Sequence, residues 1–267
     1  MKPLELRNRW VLVTGASSGL GREMARVLAR DFGANLVVVA RREERLVVLA
    51  SELEKAHGVS VRVIPADLGR EGESDRVFLE ATRESNLIGA ILNAGITHFG
   101  KWDELSWDDF QRMHAVNVTS VVRLSTLLLP YLEKRAENGG LLLVSSMAGL
   151  MPTPYQTAYS ATKAFLVNFG CGLHHEMEPR GVSVSTFVPG GIRTEMTDGA
   201  RFNDLRGWLM PVERCAVEAV RAFVERAYLH TPGVIYRVGA VVSRLLPQRF
   251  FIGRVADQYR RSLERNG

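Results

Sequence analysis

A tyrosine, a lysine and two serines occur at spacings that suit proton transfer. Tyr159 and Lys163 are four residues apart in a helical stretch, which places both side chains on one face of the helix. A phenol with a pKa of about 10 is a weak base at neutral pH, and an ammonium such as that of Lys163 stabilises its anion. Ser145 and Ser146 follow the preceding strand, and either hydroxyl can hold a substrate oxygen while Tyr159 transfers the proton. Alternatively, Tyr159 and Lys163 are only a pair on the helix surface, and the two serines are only turn residues.

A glycine-rich turn occupies residues 14–21, directly after an apolar run and directly before a helical stretch. Glycines let the backbone turn tightly and approach a pyrophosphate, whose charge is stabilised by the exposed N–H groups at the start of a helix. We therefore expect a dinucleotide to bind at this turn, through the residues Gly15, Ser17, Ser18, Gly19, Leu20 and Gly21. The alternative is a tight turn that binds no ligand.

The choice of cofactor depends on the end of the second predicted strand. A dinucleotide fold that uses NAD(H) places Asp or Glu about twenty residues after the last glycine, to bond the ribose 2′-hydroxyl. Here that position is Arg41, and Arg42 follows it. Guanidinium groups suit a 2′-phosphate, which a carboxylate would repel, so NADP(H) is preferred over NAD(H). The alternative is that one or both arginines only cover the next helix.

Apolar runs alternate along the chain with amphipathic stretches, a pattern typical of a parallel sheet with helices on both faces. The predicted strands are residues 10–13, 35–40, 61–64, 89–92, 140–144 and 182–188. The predicted helices are residues 22–31, 42–57, 73–84, 107–134 and 157–178. The sequence thus predicts an α/β fold, a doubly wound parallel sheet in three layers that forms a single domain over residues 1–240, with a basic helical extension over residues 241–267.

Composition argues against several classes of protein. The chain of 267 residues has 34 Lys and Arg against 29 Asp and Glu, a diffuse excess without a nucleic-acid reader motif, so we expect no nucleic-acid partner. Cys171 and Cys215 follow no metal or redox spacing and are expected to be thiols in a reducing compartment. We find no signal peptide and no apolar run long enough to span a membrane, which predicts a cytoplasmic location. The histidines show no ligand spacing, so no metal is expected.

Two segments interrupt the alternation. The irregular loop of about residues 194–211 either covers a hydrophobic or lipid-like substrate or anchors itself to the core, through the residues Met196, Phe202, Leu205, Trp208, Leu209 and Met210. Residues 234–239 are predicted as the last strand and residues 243–264 as an arginine-rich helix. That helix packs on its own domain, attaches peripherally to anionic lipid, or contacts another subunit.

In these motifs and their order, residues 6–239 resemble the short-chain dehydrogenase/reductase family. Residues 14–21 match its TGxxxGxG cofactor loop, and Tyr159 with Lys163 matches its YxxxK pair. The resemblance implies a Rossmann-type fold and a catalytic tetrad of Asn117, Ser146, Tyr159 and Lys163, in which Ser146 has the family's spacing from the tyrosine. Lys163 is also implied to hold the nicotinamide ribose. The other cofactor contacts that the matched positions imply are Asp67, Leu68, Asn93, Ala94, Gly95, Tyr159, Pro189, Gly190, Ile192 and Thr194.

The resemblance implies an oxidoreductase that moves a hydride between NADP(H) and the carbonyl or alcohol carbon of a small molecule, with Tyr159 as general acid or base. Members of the family are commonly dimers or tetramers, so we expect a homodimer or homotetramer. Two other functions remain open from the residues: a catalytically weak regulator that binds a dinucleotide, and a membrane-surface protein that acts through its basic tail. The intact tetrad argues against the regulator.

Overall fold

The computed structural model describes residues 1–83, 86–135, 138–199, 201, 203, 207, 209–234, 236–239 and 248–266. Its strands are β1 (Trp10–Thr14), β2 (Asn35–Ala40), β3 (Val61–Pro65), β4 (Leu87–Leu92), β5 (Gly140–Val144), β6 (Ser183–Phe187) and β7 (Leu229–His230). They form a parallel seven-stranded sheet in the order β3-β2-β1-β4-β5-β6-β7. The strand order reverses direction between β1 and β4, and at such a switch point α/β proteins bind ligands.

Helices flank the sheet. They are α1 (Gly19–Phe32), α2 (Glu43–His57), α3 (Glu73–Arg83), α4 (Trp107–His114), α5 (Ser120–Arg135), α6 (Thr157–Met177), α7 (Val212–Val224) and α8 (Gln248–Asn266). A π-helical turn, Ala115–Thr119, joins α4 to α5. The doubly wound, three-layered Rossmann-type fold predicted from the sequence is confirmed.

Burial on both faces explains the continuous apolar strands. Every residue of β4 and of β5 is buried. Helix α1 packs against α7, and α3 packs against α5. Gly89 of β4 makes the approach of α7 possible, because a Cβ at that position would lie 2.6 Å from Cζ of Phe223. All six predicted strands and all five predicted helical stretches are present, with boundaries that differ by up to three residues.

The predictions fail at the end of the sheet. The last strand is the two-residue β7, and residues 234 and 236–239, which were predicted as that strand, are helical. Strand β7 pairs Leu229 with Thr186 and His230 with Phe187 at the edge of the sheet, where two half-buried residues leave no apolar run to detect. Helix α7 was not predicted, although it buries one face that includes Cys215 and Phe223.

One helical stretch among the described residues, Trp107–Lys134, is long and apolar enough to cross a membrane by composition alone. In the fold, 56% of its most apolar window is buried. It lies against α3, α6 and the strands β4 and β5, so packing in the core accounts for its apolar residues.

A buried arginine ties the N-terminal segment to the sheet. The Arg226 guanidinium donates to the carbonyl oxygens of Lys2 at 2.6 Å, Gly139 at 3.1 Å and Asn138, and to Oγ of Ser183 at 2.9 Å. Burial lowers the pKa of this guanidinium, and these hydrogen bonds stabilise its charge in place of a carboxylate partner. Arg226 is therefore a structural residue. It lies where β5 and β6 begin, at the opposite ends of the strands from the switch point.

Both cysteines, Cys171 and Cys215, are free thiols, and burial raises the pKa of Cys215. Within the described ranges, no three His, Cys, Asp or Glu side chains lie close enough together to hold a metal ion.

Candidate active site

The glycine-rich turn lies at the carboxyl end of β1, at the switch point of the sheet. Gly15 has φ +70°, and a Cβ there would lie 2.8 Å from Nδ2 of Asn93. A Cβ on Gly21 would lie 2.3 Å from the carbonyl oxygen of Gly15, which backbone cannot accommodate. Helix α1 begins at Gly19, its N-cap Ser18 makes no side-chain capping bond, and its first turn has no acidic residue. Its first N–H groups therefore remain available to an anion.

Asn93 fastens the turn from the neighbouring strand β4. Its Nδ2 donates to the carbonyl oxygen of Thr14 at 3.0 Å. The Thr14 hydroxyl in turn accepts from the backbone N–H groups of Asn93 at 2.9 Å and Ala94 at 3.0 Å. These bonds use the side chain of Asn93 within the protein, so it shapes the cofactor cleft as a positioning residue.

The cleft beside this turn brings together most of the predicted cofactor residues, from the ends of four strands and from the loop after β6. Those that line it are Gly15, Ser17, Ser18, Gly19, Leu20, Arg41, Arg42, Asp67, Leu68, Asn93, Ala94, Gly95 and Thr194. The sequence missed several further lining residues, among them Ala66, Ile96, Val116, Glu195 and Met196. Apolar side chains next to exposed N–H groups and cations suit the adenine ring and the phosphates of a dinucleotide.

Pro189, Gly190 and Ile192 do not line that cleft and lie after β6. The carbonyl oxygen of Pro189 accepts from the N–H of Met147 at 2.8 Å, which joins this segment to the turn that follows Ser146. Ile192 forms a bridge to Met210. Of the predicted substrate loop, Met196 is exposed and Met210 is buried, whereas Phe202, Leu205 and Trp208 lie outside the described residues.

The two arginines at the end of β2 have different surroundings. Arg42 donates to Oγ of Ser18 at 2.7 Å and of Ser17 at 3.2 Å, so it lies across the glycine-rich turn. It also forms an ion pair with Glu195, 3.0 Å between NH1 and Oε2. Arg41 is exposed at the cleft, and no hydrogen bond or ion pair to its guanidinium is found among the described residues. Arg41 is thus the more accessible cation for a 2′-phosphate.

Glu195 is a carboxylate that sequence reasoning missed. It pairs with Arg42 and, at 2.6 Å, with Arg45 of α2, and both cations hold its pKa below the ordinary value. The three residues link the start of the substrate loop to the rim of the cofactor cleft. The partners are about 150 positions apart in the sequence, which leaves no local signal for the pairing.

Tyr159 lies in the first turn of α6, where its hydroxyl is close to the Ser146 hydroxyl. Desolvation raises the pKa of Tyr159 to about 12; the Ser146 hydroxyl opposes this rise and the nearby phenol of Tyr259 adds to it. At neutral pH the phenol therefore holds its proton.

The structure distinguishes the two candidate serines. The Ser145 hydroxyl is buried and donates to the carbonyl oxygen of Lys163 at 2.7 Å, which fixes α6 to the end of β5. Ser146 is only partly buried, and its Oγ accepts from the N–H of Ala148 at 3.2 Å. Since Ser146 is also close to the Tyr159 hydroxyl, it is the serine that can reach a substrate oxygen.

Lys163 is buried, and its ammonium donates to the carbonyl oxygen of Val144 at 3.0 Å. Nζ lies 5.8 Å from the centroid of the Tyr159 ring. Desolvation lowers the pKa of Lys163 to about 8. The sequence led us to expect that this ammonium would lower the pKa of Tyr159; instead the pKa of Tyr159 is raised, because burial withdraws the phenol from water.

Asn117 belongs to the π-helical turn and is fully buried. Its side chain accepts from the N–H of Ile96 at 2.9 Å and donates to Oγ1 of Thr162 at 3.0 Å, which joins the loop after β4 to α6. Gly95 packs closely against both side chains: a Cβ there would lie 3.3 Å from Oδ1 of Asn117 and 3.4 Å from Nζ of Lys163. All four residues of the predicted tetrad thus converge on one end of the crevice, and π-helical turns often occur at such sites.

Comparisons with known proteins agree with this geometry. The family model described as short chain dehydrogenase matches residues 9–204. A very-long-chain 3-oxoacyl-CoA reductase of Anas platyrhynchos is 36% identical over 196 residues, which span 70% of this chain and 61% of the reductase. A 17-beta-hydroxysteroid dehydrogenase type 3 of Rattus norvegicus is 30% identical over 264 residues, 96% of this chain and 82% of that enzyme.

A solved structure also matches over most of its length. It is a short-chain dehydrogenase from Sphingobium yanoikuyae in complex with NADPH, 30% identical with a TM-score of 0.80, and the alignment covers 88% of this chain and 93% of that one. The chain spans less than two thirds of the length of the very-long-chain 3-oxoacyl-CoA reductase that it matches.

Proposed function

Since this chain belongs to the short-chain dehydrogenase/reductase family of oxidoreductases, we propose that it uses NADPH to reduce a ketone on a hydrophobic molecule, with Tyr159 as the proton donor. The observation that carries the proposal is the convergence of Ser146 and Tyr159 with the buried Lys163, whose Nζ lies 5.8 Å from the centroid of the Tyr159 ring. A phenol with a pKa of about 12 is protonated at neutral pH, so it is ready to donate a proton. This state favours reduction over oxidation.

In the proposed reaction, NADPH bound at the glycine-rich turn would supply the hydride that the carbonyl carbon gains. The Ser146 hydroxyl binds the carbonyl oxygen, and Tyr159 transfers its phenolic proton to that oxygen, so the carbon gains the hydride and the oxygen gains the proton. The ammonium of Lys163 stabilises the resulting phenolate. Because the pKa of Lys163 is about 8, far below that of Tyr159, Lys163 can also return the proton to the phenolate. Asn117 bonds Ile96 and Thr162 and thereby holds the loop after β4 against α6.

The preference for NADPH rests on Arg41 and Arg42. Arg41 is exposed at the cleft, and Arg42 bonds both serines of the glycine-rich turn. Guanidinium groups bond phosphate oxygens with charge-assisted hydrogen bonds, each worth about 1.5–3 kcal/mol. Glu195 pairs with Arg42 and with Arg45 and thereby lowers the positive potential around Arg42, so Arg41 contributes most of the preference.

The proposed class of substrate draws on the relatives and on the apolar lining. One relative is named for reducing a 3-oxoacyl-CoA and the other for a hydroxysteroid, and both substrates carry the reacting oxygen on a large apolar skeleton. Met196 lines the cofactor cleft, and Phe99 lies in the loop after β4. A hydrophobic ketone fits these surroundings better than a small polar one.

The test is a substrate screen with purified protein, read by the loss of NADPH absorbance. A 3-oxoacyl thioester and a steroid ketone are compared with glucose and acetone, and each is run with NADPH and with NADH. We expect turnover of at least one hydrophobic ketone and a kcat/KM at least about tenfold higher with NADPH. Tight NADPH binding without oxidation by any ketone would instead support the weak dinucleotide-binding regulator.

A further inference from the structure

Helix α8 packs on the catalytic domain with one face, and its exposed arginines lie on the other. Ser262 is fully buried, and Val255 and Tyr259 on the same face are partly buried. These positions are separated by three or four residues, so they form a single stripe. Of the arrangements that the sequence left open for this tail, the structure has the helix on its own domain.

Arg201 holds the helix in place over the loop that follows β4. Its carbonyl oxygen accepts from Oγ of Ser262 at 2.7 Å. Its guanidinium donates to the carbonyl oxygen of Phe99 at 3.0 Å and forms an ion pair with Glu104 at 2.9 Å. The substrate loop, the loop after β4 and α8 therefore meet at one residue.

The same loop connects Tyr259 to the segment that precedes Tyr159. The Tyr259 ring packs edge-on against Phe99, with 5.1 Å between the centroids. The next residue, Gly100, donates its N–H to the carbonyl oxygen of Tyr155 at 2.9 Å, and Tyr155 precedes Tyr159 by four residues. The effect of the Tyr259 phenol on the pKa of Tyr159 agrees with this proximity.

The hydroxyl of Tyr259 is a donor without a protein partner in the part of the chain that the structure describes. Tyrosine hydroxyls in partly buried positions normally find a partner. Burial raises the pKa of Tyr259, so its hydroxyl keeps its proton at neutral pH and is available to donate to a molecule bound next to it.

We propose that Tyr259 is a substrate-binding residue, which donates a hydrogen bond to a second oxygen of the substrate while Ser146 and Tyr159 bind the reacting carbonyl. Two sets of donors on one crevice suit a molecule with two oxygen acceptors a short distance apart, as in a 3-oxoacyl thioester, rather than a lone ketone. The inference rests on the proposed function and narrows it. It also makes the C-terminal helix part of the substrate site.

The kinetic test compares a 3-oxoacyl N-acetylcysteamine thioester with a methyl alkyl ketone of the same chain length, using the full chain with NADPH. Tyr259→Phe keeps the ring that packs on Phe99 and removes only the hydroxyl. We expect it to raise KM for the thioester about fivefold to tenfold, the effect of one neutral hydrogen bond, and to leave the simple ketone unchanged. Tyr228→Phe, the same change on an exposed tyrosine, is the matched control. Equal effects on both ketones, or no effect, would overturn the proposal.

A second measurement does not depend on turnover. In the Tyr159→Phe background, with NADPH bound, thioester binding is followed by quenching of NADPH fluorescence. Adding Tyr259→Phe is expected to raise the dissociation constant about fivefold to tenfold. An unchanged constant refutes the role of Tyr259 even where the wild type reduces the thioester. If the wild type reduces neither ketone, the proposed function fails. The role of Tyr259 is then still decided by the dissociation constants of the thioester measured with and without Tyr259→Phe.

Discussion

The pH dependence of ketone reduction follows from the opposite pKa shifts of Lys163 and Tyr159. Desolvation lowers the pKa of Lys163 to about 8, so its charge is present below that pH and lost above it. Each pH unit changes the ratio of ammonium to amine tenfold, which gives about 10 to 1 at pH 7 and about 1 to 10 at pH 9. Tyr159, with a pKa of about 12, stays protonated throughout this range. We therefore expect kcat/KM to be level up to about pH 7.5 and to fall tenfold per unit above about pH 8.5.

The pH dependence of stability distinguishes this loss of activity from unfolding. The unfolded chain holds the proton of this lysine up to a pKa of about 10.4, so between the two pKa values the unfolded state binds more protons than the folded state. Stability from this group therefore rises with pH over the window in which the rate falls. Circular dichroism at each pH is expected to show an intact fold.

The assay is the initial rate of NADPH oxidation at constant ionic strength, with the dissociation constant of NADPH measured at each pH. Lys163→Arg keeps a cation that does not titrate below pH 12, so the variant should be slower but without the fall near pH 8. A break in the wild-type profile at pH 10 or above would refute the desolvated lysine. An unchanged break in Lys163→Arg would assign it to another group.

Three further outcomes are expected. Arg41→Asp should raise the dissociation constant of NADPH about 10-fold to 100-fold and that of NADH far less, measured by fluorescence titration; equal effects would contradict the assignment of Arg41 to the 2′-phosphate. Glu195→Gln releases Arg42 from its ion pair and should tighten NADPH about twofold to fivefold at low salt with little change for NADH, whereas weaker NADPH binding would show that Glu195 supports the site. Arg226→Met leaves buried carbonyl groups without a donor and should lower the free energy of unfolding by about 3 kcal/mol in urea titrations; a loss no greater than that of Arg221→Met, on the exposed face of α7, would rule out its structural role.

The strands could be predicted from the sequence because strands buried on both faces leave continuous apolar runs, as in β4 and β5. The Tyr159–Lys163 pair could be predicted because a spacing of four places two side chains on one helix face. Neighbouring residues at a strand end point in opposite directions, so the residue pattern alone left Ser145 and Ser146 open, and only the family's spacing from the tyrosine favoured Ser146. Glu195 and Tyr259 reach the site through contacts between distant segments, which no local pattern records.

The pKa of Tyr159 shows what residue types alone leave out. A lysine next to a tyrosine predicts a lowered phenol pKa, yet burial withdraws the phenol from water and raises its pKa. The degree of burial is a property of the whole fold. The homo-oligomeric state and the cytoplasmic location stay predictions.

The most direct test of the central claim is the turnover of Tyr159→Phe beside its affinity for NADPH. Both are measured on one protein preparation, with the best ketone from the screen. We predict that kcat falls at least about 1000-fold, because the proton donor is removed, while the dissociation constant of NADPH changes less than about threefold. A variant that keeps a tenth or more of the wild-type kcat would contradict the account, since another group would then be supplying the proton.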